Sequence, residues 1–247
     1  AVYNPFDVLL LFREREFRPW WFEIGTPSFL LDMLLQRGYF LPQLANLQTS
    51  RALLSAFDVE NLVPEALLWQ TGYLTFTGSR QFGAFQLYSL GYPNREVESE
   101  LNKALLKAML GNGLQAEQAV SRLYDVLLSG DFDALRQQFA SLFAAIPGDW
   151  YRNNPIARHE GFYANVFYGH LAALGLGLTV EGDGNAGCLD LALRFNGNIY
   201  LMEFKVVELV PEGQALAQIK AKGYADKYGS EGLPVHLMGI EFSREQR

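Results

Sequence analysis

The chain has 247 residues, of which 49% are hydrophobic, 14% aromatic and 19% charged. This composition excludes a disordered tail and a coiled coil, and the length allows one large domain or two ordinary ones. The formal net charge of −7 argues against a general nucleic-acid coat, because phosphate binding relies on Lys and Arg, so any DNA contact would be confined to a small basic surface.

The cysteine content and the chain start point to a cytoplasmic protein. Cys188 is the one cysteine, which excludes an internal disulfide framework and fits a reducing compartment. No apolar run approaches the roughly 20 residues that span a bilayer. The chain begins at Ala1 without Met and without a charged-then-apolar leader, so we expect no signal peptide and a segment cut from a longer protein.

Residues 1–93 are expected to be helical with a small β-hairpin. The segment Thr26-Pro27-Ser28 is a cap signal for a helix over Phe29–Leu35. A helix after residue 51 and another over Pro64–Gln70 are predicted next. The hairpin strands Tyr73–Phe76 and Phe85–Leu90 would flank a turn at Thr77–Arg80. Helices followed by a hairpin give a winged-helix-like outline, but no basic recognition helix is visible, and a packing unit without a nucleic-acid role is the alternative.

Residues 94–148 are expected to form a helical connector. Leucine and phenylalanine recur at helical spacing, which is most simply a buried core. The predicted helices are Val97–Leu110, Gln115–Leu128 and Asp133–Ala145. A boundary is predicted at Pro147-Gly148-Asp149, so the third segment spans residues 149–247.

The third segment alternates helices and strands. The predicted elements are a helix at about Ile156–Leu174, strands at Leu178–Glu181, Leu189–Leu193 and Ile199–Val207, a helix at Glu212–Tyr228 and a last strand at Val235–Ile240. Residues Phe195–Asn198 are a turn signal, so the second and third strands should form a hairpin.

The two predicted strands of that hairpin carry three charged residues, Asp190 on the first and Glu203 and Lys205 on the second. Side chains alternate between faces, so Glu203 and Lys205 point the same way while Phe204 points into the opposite layer. Charged groups inside apolar runs are costly to bury unless they are paired. A divalent metal on the two carboxylates would offset that cost, although an ordinary surface ion pair is the commoner explanation of such a pattern.

With further residues added, the pattern resembles a known family. Glu160–Tyr163 on the first helix, Gly187–Leu191, Glu203–Lys205 and Ala215–Tyr224 on the second helix resemble the PD-(D/E)xK nuclease superfamily. The closest resemblance is to the bacterial family that joins an AAA-ATPase-like region to a C-terminal PD-(D/E)xK nuclease domain. Residues 1–93 resemble the end of the ATPase-like region, whose nucleotide site would lie upstream.

The resemblance implies an α/β domain of the restriction-endonuclease-like αβββαβ type, with a mixed central sheet flanked by helices, over residues 149–247. It also implies a metal-dependent nuclease. Asp190 and Glu203 would bind Mg²⁺ (or Mn²⁺) together with the backbone carbonyl of Phe204, and Glu160 would reach the metal directly or through water.

The remaining implied roles concern the reaction and the substrate. Lys205 would orient or activate the attacking water or stabilise charge on the phosphate, and Gln218 would brace the site or touch the nucleic-acid backbone. The implied nucleic-acid contacts are Lys220, Lys222 and Tyr224. The implied partners are a nucleic acid, expected to be DNA, and the upstream ATPase-like domain of the full-length protein, with no membrane partner.

Several residues depart from the family pattern. Leu189 stands where the motif name has Pro, Cys188 stands where relatives often have a basic residue, and Lys222 stands where recombination-type nucleases often place Tyr. The alternative function, which the low content of basic residues motivates, is a catalytically silent nuclease-fold module that binds nucleic acid or protein. The Gly182–Gly187 run is not a P-loop, because no Lys-Ser or Lys-Thr follows it, and the three histidines lack zinc-ligand spacing.

Overall fold

The computed structural model describes residues 5–16, 20, 28–54, 63–146, 160–181, 190–207 and 213–243. The predicted boundary at Pro147-Gly148-Asp149, the Gly182–Gly187 run and Cys188 lie outside these residues, as do Thr26 and Pro27 of the predicted cap.

The first part of the chain is mainly helical. Its elements are α1 (Pro5–Glu14), α2 (Ser28–Gln36), a short 3-10 helix (Leu41–Ala45), α3 (Arg51–Leu54) and α4 (Pro64–Gln70). The predicted helices at Phe29–Leu35 and Pro64–Gln70 are confirmed. Leu30 and Leu34 lie four residues apart on one face of α2 and are fully buried, as amphipathic spacing requires.

A small antiparallel sheet follows, in the order β1 (Leu47–Ser50), β3 (Phe85–Gly91), β2 (Thr75–Phe82). The hairpin was predicted, but the predicted turn at Thr77–Arg80 is wrong. Those residues lie inside β2, and Gly78 marks a register irregularity rather than a reversal. The chain reverses after Phe82, where Gly83 has a φ of +56° that favours glycine.

The three helices of the connector are confirmed as α5 (Arg95–Leu110), α6 (Gly113–Ser129) and α7 (Phe132–Ala145). Each begins at a capping side chain that accepts a hydrogen bond from the amide three residues on; the caps are Asn94, Asn112 and Asp131. Gly111 and Gly130 end the first two helices in the left-handed conformation.

The last part of the chain contains a four-stranded mixed sheet. Its elements are α8 (Glu160–Ala172), β4 (Gly177–Glu181), β5 (Asp190–Phe195), β6 (Asn198–Val207), α9 (Gln214–Ala221), α10 (Tyr224–Tyr228), a 3-10 turn (Gly229–Glu231) and β7 (Val235–Ser243). The strand order is β4-β5-β6-β7, and only β6 and β7 are parallel. A parallel pair needs a crossover, which α9 and α10 provide.

Two local features of this sheet test the sequence predictions. The predicted turn is confirmed, because Asn196 (φ 48°) and Gly197 (φ 72°) both have positive φ, as a two-residue hairpin loop of this type requires. The single helix predicted over Glu212–Tyr228 is wrong. Gly223, with a φ of +65°, separates α9 from α10.

The two faces of the four-stranded sheet are covered differently. Phe204 and Met202 of β6 belong to a large core that contains α8 and residues from α2, α5, α6 and α7. Ile199 and Leu201 point to the other face, where they pack with Ile219 of α9 and Tyr228 of α10. The large core draws on all three predicted segments, and the division at residues 93 and 148 stays a prediction.

Helix α8 is tied to the preceding parts of the chain by polar contacts. The Asn165 side chain donates to the Tyr39 carbonyl at 2.7 Å and accepts from the Leu41 amide at 2.8 Å. The Tyr168 hydroxyl donates to the Glu98 carboxylate on α5 at 3.1 Å. Burial raises the pKa of Glu98, and the hydrogen bond from Tyr168 opposes that rise.

His170, also on α8, is fully buried and meets the ring of Phe139 on α7 edge-on at 5.7 Å. Burial lowers its pKa from 6.5 to about 3, because the charged imidazolium is disfavoured away from water. The imidazole is therefore neutral in the folded protein at physiological pH. Across the residues that the structure describes, no helix is long and apolar enough to cross a membrane.

Candidate metal centre

The β5–β6 hairpin brings Asp190 and Glu203 together. Asp190 is the first residue of β5, and the antiparallel register places it directly opposite Glu203 on β6. Residues opposite one another in such a pair have Cα atoms about 4.5–5.5 Å apart. Two like charges in facing positions of one sheet destabilise the pairing, so this position needs a compensating positive charge.

One compensating charge is present within the described residues. The Glu203 side chain is 1% exposed, and its Oε1 atom accepts a hydrogen bond from the Nζ of Lys222 at 2.9 Å. Lys222 follows the last residue of α9, and its side chain is 25% exposed. Such pairing offsets the cost of burying a carboxylate. This ion pair was not predicted from the sequence.

Lys205 lies two residues after Glu203 on β6, and the strand alternation places it on the same face. The parallel register pairs it with Glu241 on β7. The Glu241 carboxylate accepts hydrogen bonds from the Gly213 and Ala215 amides, at 3.1 and 2.6 Å. Glu241 therefore satisfies two amides at the start of α9, where a negative charge also complements the helix dipole.

Helix α9 lies unusually close to the sheet at Gly239. Gly239 is the β7 partner of Glu203 in the parallel register. A Cβ atom at this position would lie 2.2 Å from the Leu216 amide nitrogen and 2.7 Å from the Leu216 Cα. Only glycine permits this approach. The distance between α9 and the sheet at Gly239 therefore determines how close Lys222, at the end of α9, lies to Glu203.

The other predicted residues of α9 and α10 lie near this face to different extents. Gln218 is partly buried on α9, one helical turn before Lys222, which places both on the same side of the helix. Lys220 is exposed, and Tyr224 is the first residue of α10.

Glu160, the remaining predicted ligand, is the first residue of α8 and comes from the other layer. The Phe167 ring contacts Phe204 at a centroid distance of 4.1 Å, and the Tyr163 ring stacks on Phe242 at 4.8 Å. Phe242 is paired with Val206, near the end of β6. The helix therefore runs backward along β6, and its first residue lies at the end of the sheet where β6 ends.

The donor set suits a hard divalent cation. Mg²⁺ and Mn²⁺ prefer carboxylate and carbonyl oxygens, and the hairpin places two acidic residues opposite each other with one carboxylate almost fully buried. Among the side chains that the structure describes, no group of three or more His, Cys, Asp or Glu forms a metal cluster. The feature that suits a metal is therefore the pairing of Asp190 with Glu203 across two strands.

Comparison with known proteins gives two matches. Residues 158–247 match the family model of the PD-(D/E)XK nuclease superfamily. This segment contains every predicted site residue and the whole four-stranded sheet. It also contains α8, which precedes the sheet, and α9 and α10, which connect β6 to β7. The matched segment is therefore similar to this superfamily, and its helices and mixed sheet are consistent with an α/β nuclease-like fold.

A protein from Azotobacter chroococcum mcd 1, described as "Uncharacterized protein in vnfD 5'region", is 55% identical over 247 residues. The similarity covers 100% of this chain and 48% of the relative. The chain thus spans about half the length of the curated relative that it matches. No solved structure matches the chain.

Proposed function

We propose that the chain carries a metal-dependent nuclease that hydrolyses phosphodiester bonds, with DNA as its substrate. The observation that supports this best is the register that sets Asp190 opposite Glu203 on two strands of the nuclease-superfamily segment. We assign the order of α8, β4–β6, α9–α10 and β7 to the restriction-endonuclease-like αβββαβ type. The proposed full-length protein would place an ATPase-like region upstream.

In this proposal Asp190, Glu203 and the Phe204 carbonyl would hold Mg²⁺ or Mn²⁺, and Glu160 would reach the metal directly or through water. A metal bound there would polarise the phosphate and lower the pKa of a bound water. The C-terminal end of helix α9 places Lys222 beside Glu203. Glu241 caps the start of that helix, and Gly239 allows the helix to pack closely on the sheet.

Lys205 and α9 would act on the substrate. Lys205 is partly buried on the same face as Glu203, so its ammonium can hold the attacking water or stabilise negative charge that develops on the phosphate. Gln218 and the exposed Lys220 would contact the nucleic-acid backbone along α9. Tyr224 at the start of α10 would extend this contact surface.

The decisive experiment compares plasmid and single-strand cleavage with Mg²⁺ or Mn²⁺ for the wild type, Asp190→Asn and Asp125→Asn. Asp125 is an exposed carboxylate on α6 and serves as the control for an equal loss of charge. We expect Asp190→Asn to lower the cleavage rate by about 100-fold or more, since groups that stabilise the transition state contribute on that scale. EDTA should abolish cleavage, and Asp125→Asn should retain it.

Cleavage by Asp190→Asn at the wild-type rate would overturn the proposed metal site. Circular dichroism spectra of each variant and the wild type are compared to show whether a loss of activity is caused by a loss of fold.

The Lys222–Glu203 ion pair favours a second candidate, a catalytically silent nuclease-fold module. The pair neutralises Glu203 without a metal, so the fold could persist after catalysis is lost. Calorimetric titration with Mn²⁺ separates the two functions. A silent module predicts no heat that depends on Asp190 and Glu203, whereas a nuclease predicts such heat together with cleavage.

A further inference from the structure

The ion pair between Lys222 and Glu203 joins two groups of unequal burial. The Glu203 side chain is 1% exposed and the Lys222 side chain 25% exposed, with Nζ and Oε1 at 2.9 Å. The carboxylate is therefore fixed inside the protein, while the ammonium lies near the surface. A buried carboxylate needs a cation, and in this structure a lysine supplies it at the position proposed for the metal.

We propose that Lys222 is an exchangeable countercation of the metal site. In the metal-free protein it neutralises Glu203; a divalent cation displaces it, and the released ammonium then binds a phosphate of the substrate. This inference rests on the proposed function and adds to it a device that couples metal binding to substrate binding.

Exchange is favoured by charge. A divalent cation beside Asp190 and Glu203 would place two positive charges within a few ångströms of the Lys222 ammonium, and like charges repel strongly where water is largely excluded. A divalent ion bound there would carry twice the charge of the Lys222 ammonium, which is hydrogen-bonded to Glu203 Oε1 at 2.9 Å. A divalent ion would therefore compete with the ammonium for the Glu203 carboxylate.

The position of Lys222 allows exchange without a change of fold. It stands at the C-terminal end of α9, and Gly223 immediately afterwards ends the helix with a φ of +65°. The ammonium of lysine is a compact charge on a flexible four-carbon stem. Rotation about the bonds of this stem can therefore move the ammonium from Glu203 to solvent while α9 stays packed on the sheet. Gln218 and Lys220 on the same helix lie beside the path of a bound strand in the proposed function.

Calorimetric titration with Mn²⁺ alone tests the exchange, using the wild type, Lys222→Met and Lys220→Met. Lys220→Met removes an equal charge from the same helix at an exposed position. We expect Lys222→Met to bind Mn²⁺ about tenfold more tightly than the wild type, because a charged hydrogen bond no longer competes for the carboxylate. Lys220→Met should change the affinity by less than about threefold, since exposed charges are screened.

The outcomes separate this inference from the proposed function. Mn²⁺ binding by the wild type that is lost in Asp190→Asn supports the metal site. With that result, equal or weaker binding by Lys222→Met overturns the exchange and leaves the nuclease proposal intact. No Mn²⁺ binding by any of the proteins overturns both.

A second measurement needs no substitution at Lys222. The reactivity of each lysine towards an amine-labelling reagent is measured by peptide mass spectrometry with and without Mn²⁺. We expect the labelling of Lys222 to rise several-fold when Mn²⁺ is added, with Lys220 as the internal reference, and to stay constant in Asp190→Asn. Unchanged Lys222 labelling in wild-type protein that binds Mn²⁺ would overturn the exchange.

Discussion

Gly239→Ala tests whether the close approach of α9 to β7 builds the site. The added Cβ would lie 2.2 Å from the Leu216 amide nitrogen and 2.7 Å from its Cα, both backbone atoms. Since ordinary carbon contacts are at about 3.5–4.0 Å, α9 would have to move away from the sheet by about 1 Å. Such overpacking costs about 1–3 kcal/mol.

For a chain of this size each kcal/mol lowers the melting temperature by about 2–4 °C, so we expect Gly239→Ala to melt roughly 2–12 °C below the wild type. The shift should also lengthen the Lys222–Glu203 contact and weaken Asp190-dependent Mn²⁺ binding. Differential scanning calorimetry and calorimetric titration measure the two effects.

Gly229→Ala is the matched control. Gly229 has a φ of −58°, and a Cβ there would meet nothing within 4 Å, so alanine should be neutral or slightly stabilising. The expected overpacking is refuted if Gly239→Ala melts within about 1 °C of the wild type, which corresponds to less than about 0.5 kcal/mol. It is also refuted if Gly229→Ala loses as much stability.

Two further predictions concern titratable groups in the core, the buried His170 on α8 and the partly buried Glu98 on α5. Because the pKa of His170 is lowered from 6.5 to about 3, the unfolded chain binds a proton that the folded protein does not. Urea denaturation should therefore show the wild type losing about 1.4 kcal/mol more than His170→Phe between pH 5.5 and 4.5; parallel curves would contradict this. Burial raises the pKa of Glu98 above 4.5, so stability is lost as pH rises through the folded pKa. Glu98→Gln should melt higher than the wild type at pH 8, and the gain should vanish below pH 4.5; an equal gain at both pH values would refute the assigned cause.

Much of the fold follows from local sequence signals. The helices α5, α6 and α7 have apolar residues at helical spacing and clear caps, and the Asn196-Gly197 dipeptide defines the hairpin turn. The errors arose where the local signal was ambiguous. The segment Thr77–Arg80 has the composition of a turn but lies in a strand with a register irregularity at Gly78. Strand β1 has only four residues, and its extended conformation depends on pairing with β3.

The site was only partly predictable for a physical reason. Asp190, Glu203 and Lys205 could be grouped because strand alternation relates residues that are close in sequence. The Lys222–Glu203 pair and the Glu241 cap depend on how α9 lies against the sheet, which no local periodicity specifies. Gly239 inside a strand was the available clue, since such a glycine often marks a close backbone contact.

The two-residue turn has a consequence for how this site can vary among related chains. Asp190 precedes Asn196 by as many residues as Glu203 follows Gly197, so the turn is the centre of symmetry of the two acids. A strand can be lengthened only by equal insertions on both sides, because one unmatched residue would turn a carboxylate to the Phe204 face. The number of residues between Asp190 and Glu203 is thus set by the length of the hairpin. A relative with an odd difference in this number should have a turn that is longer or shorter by one residue, so that both acids stay on one face.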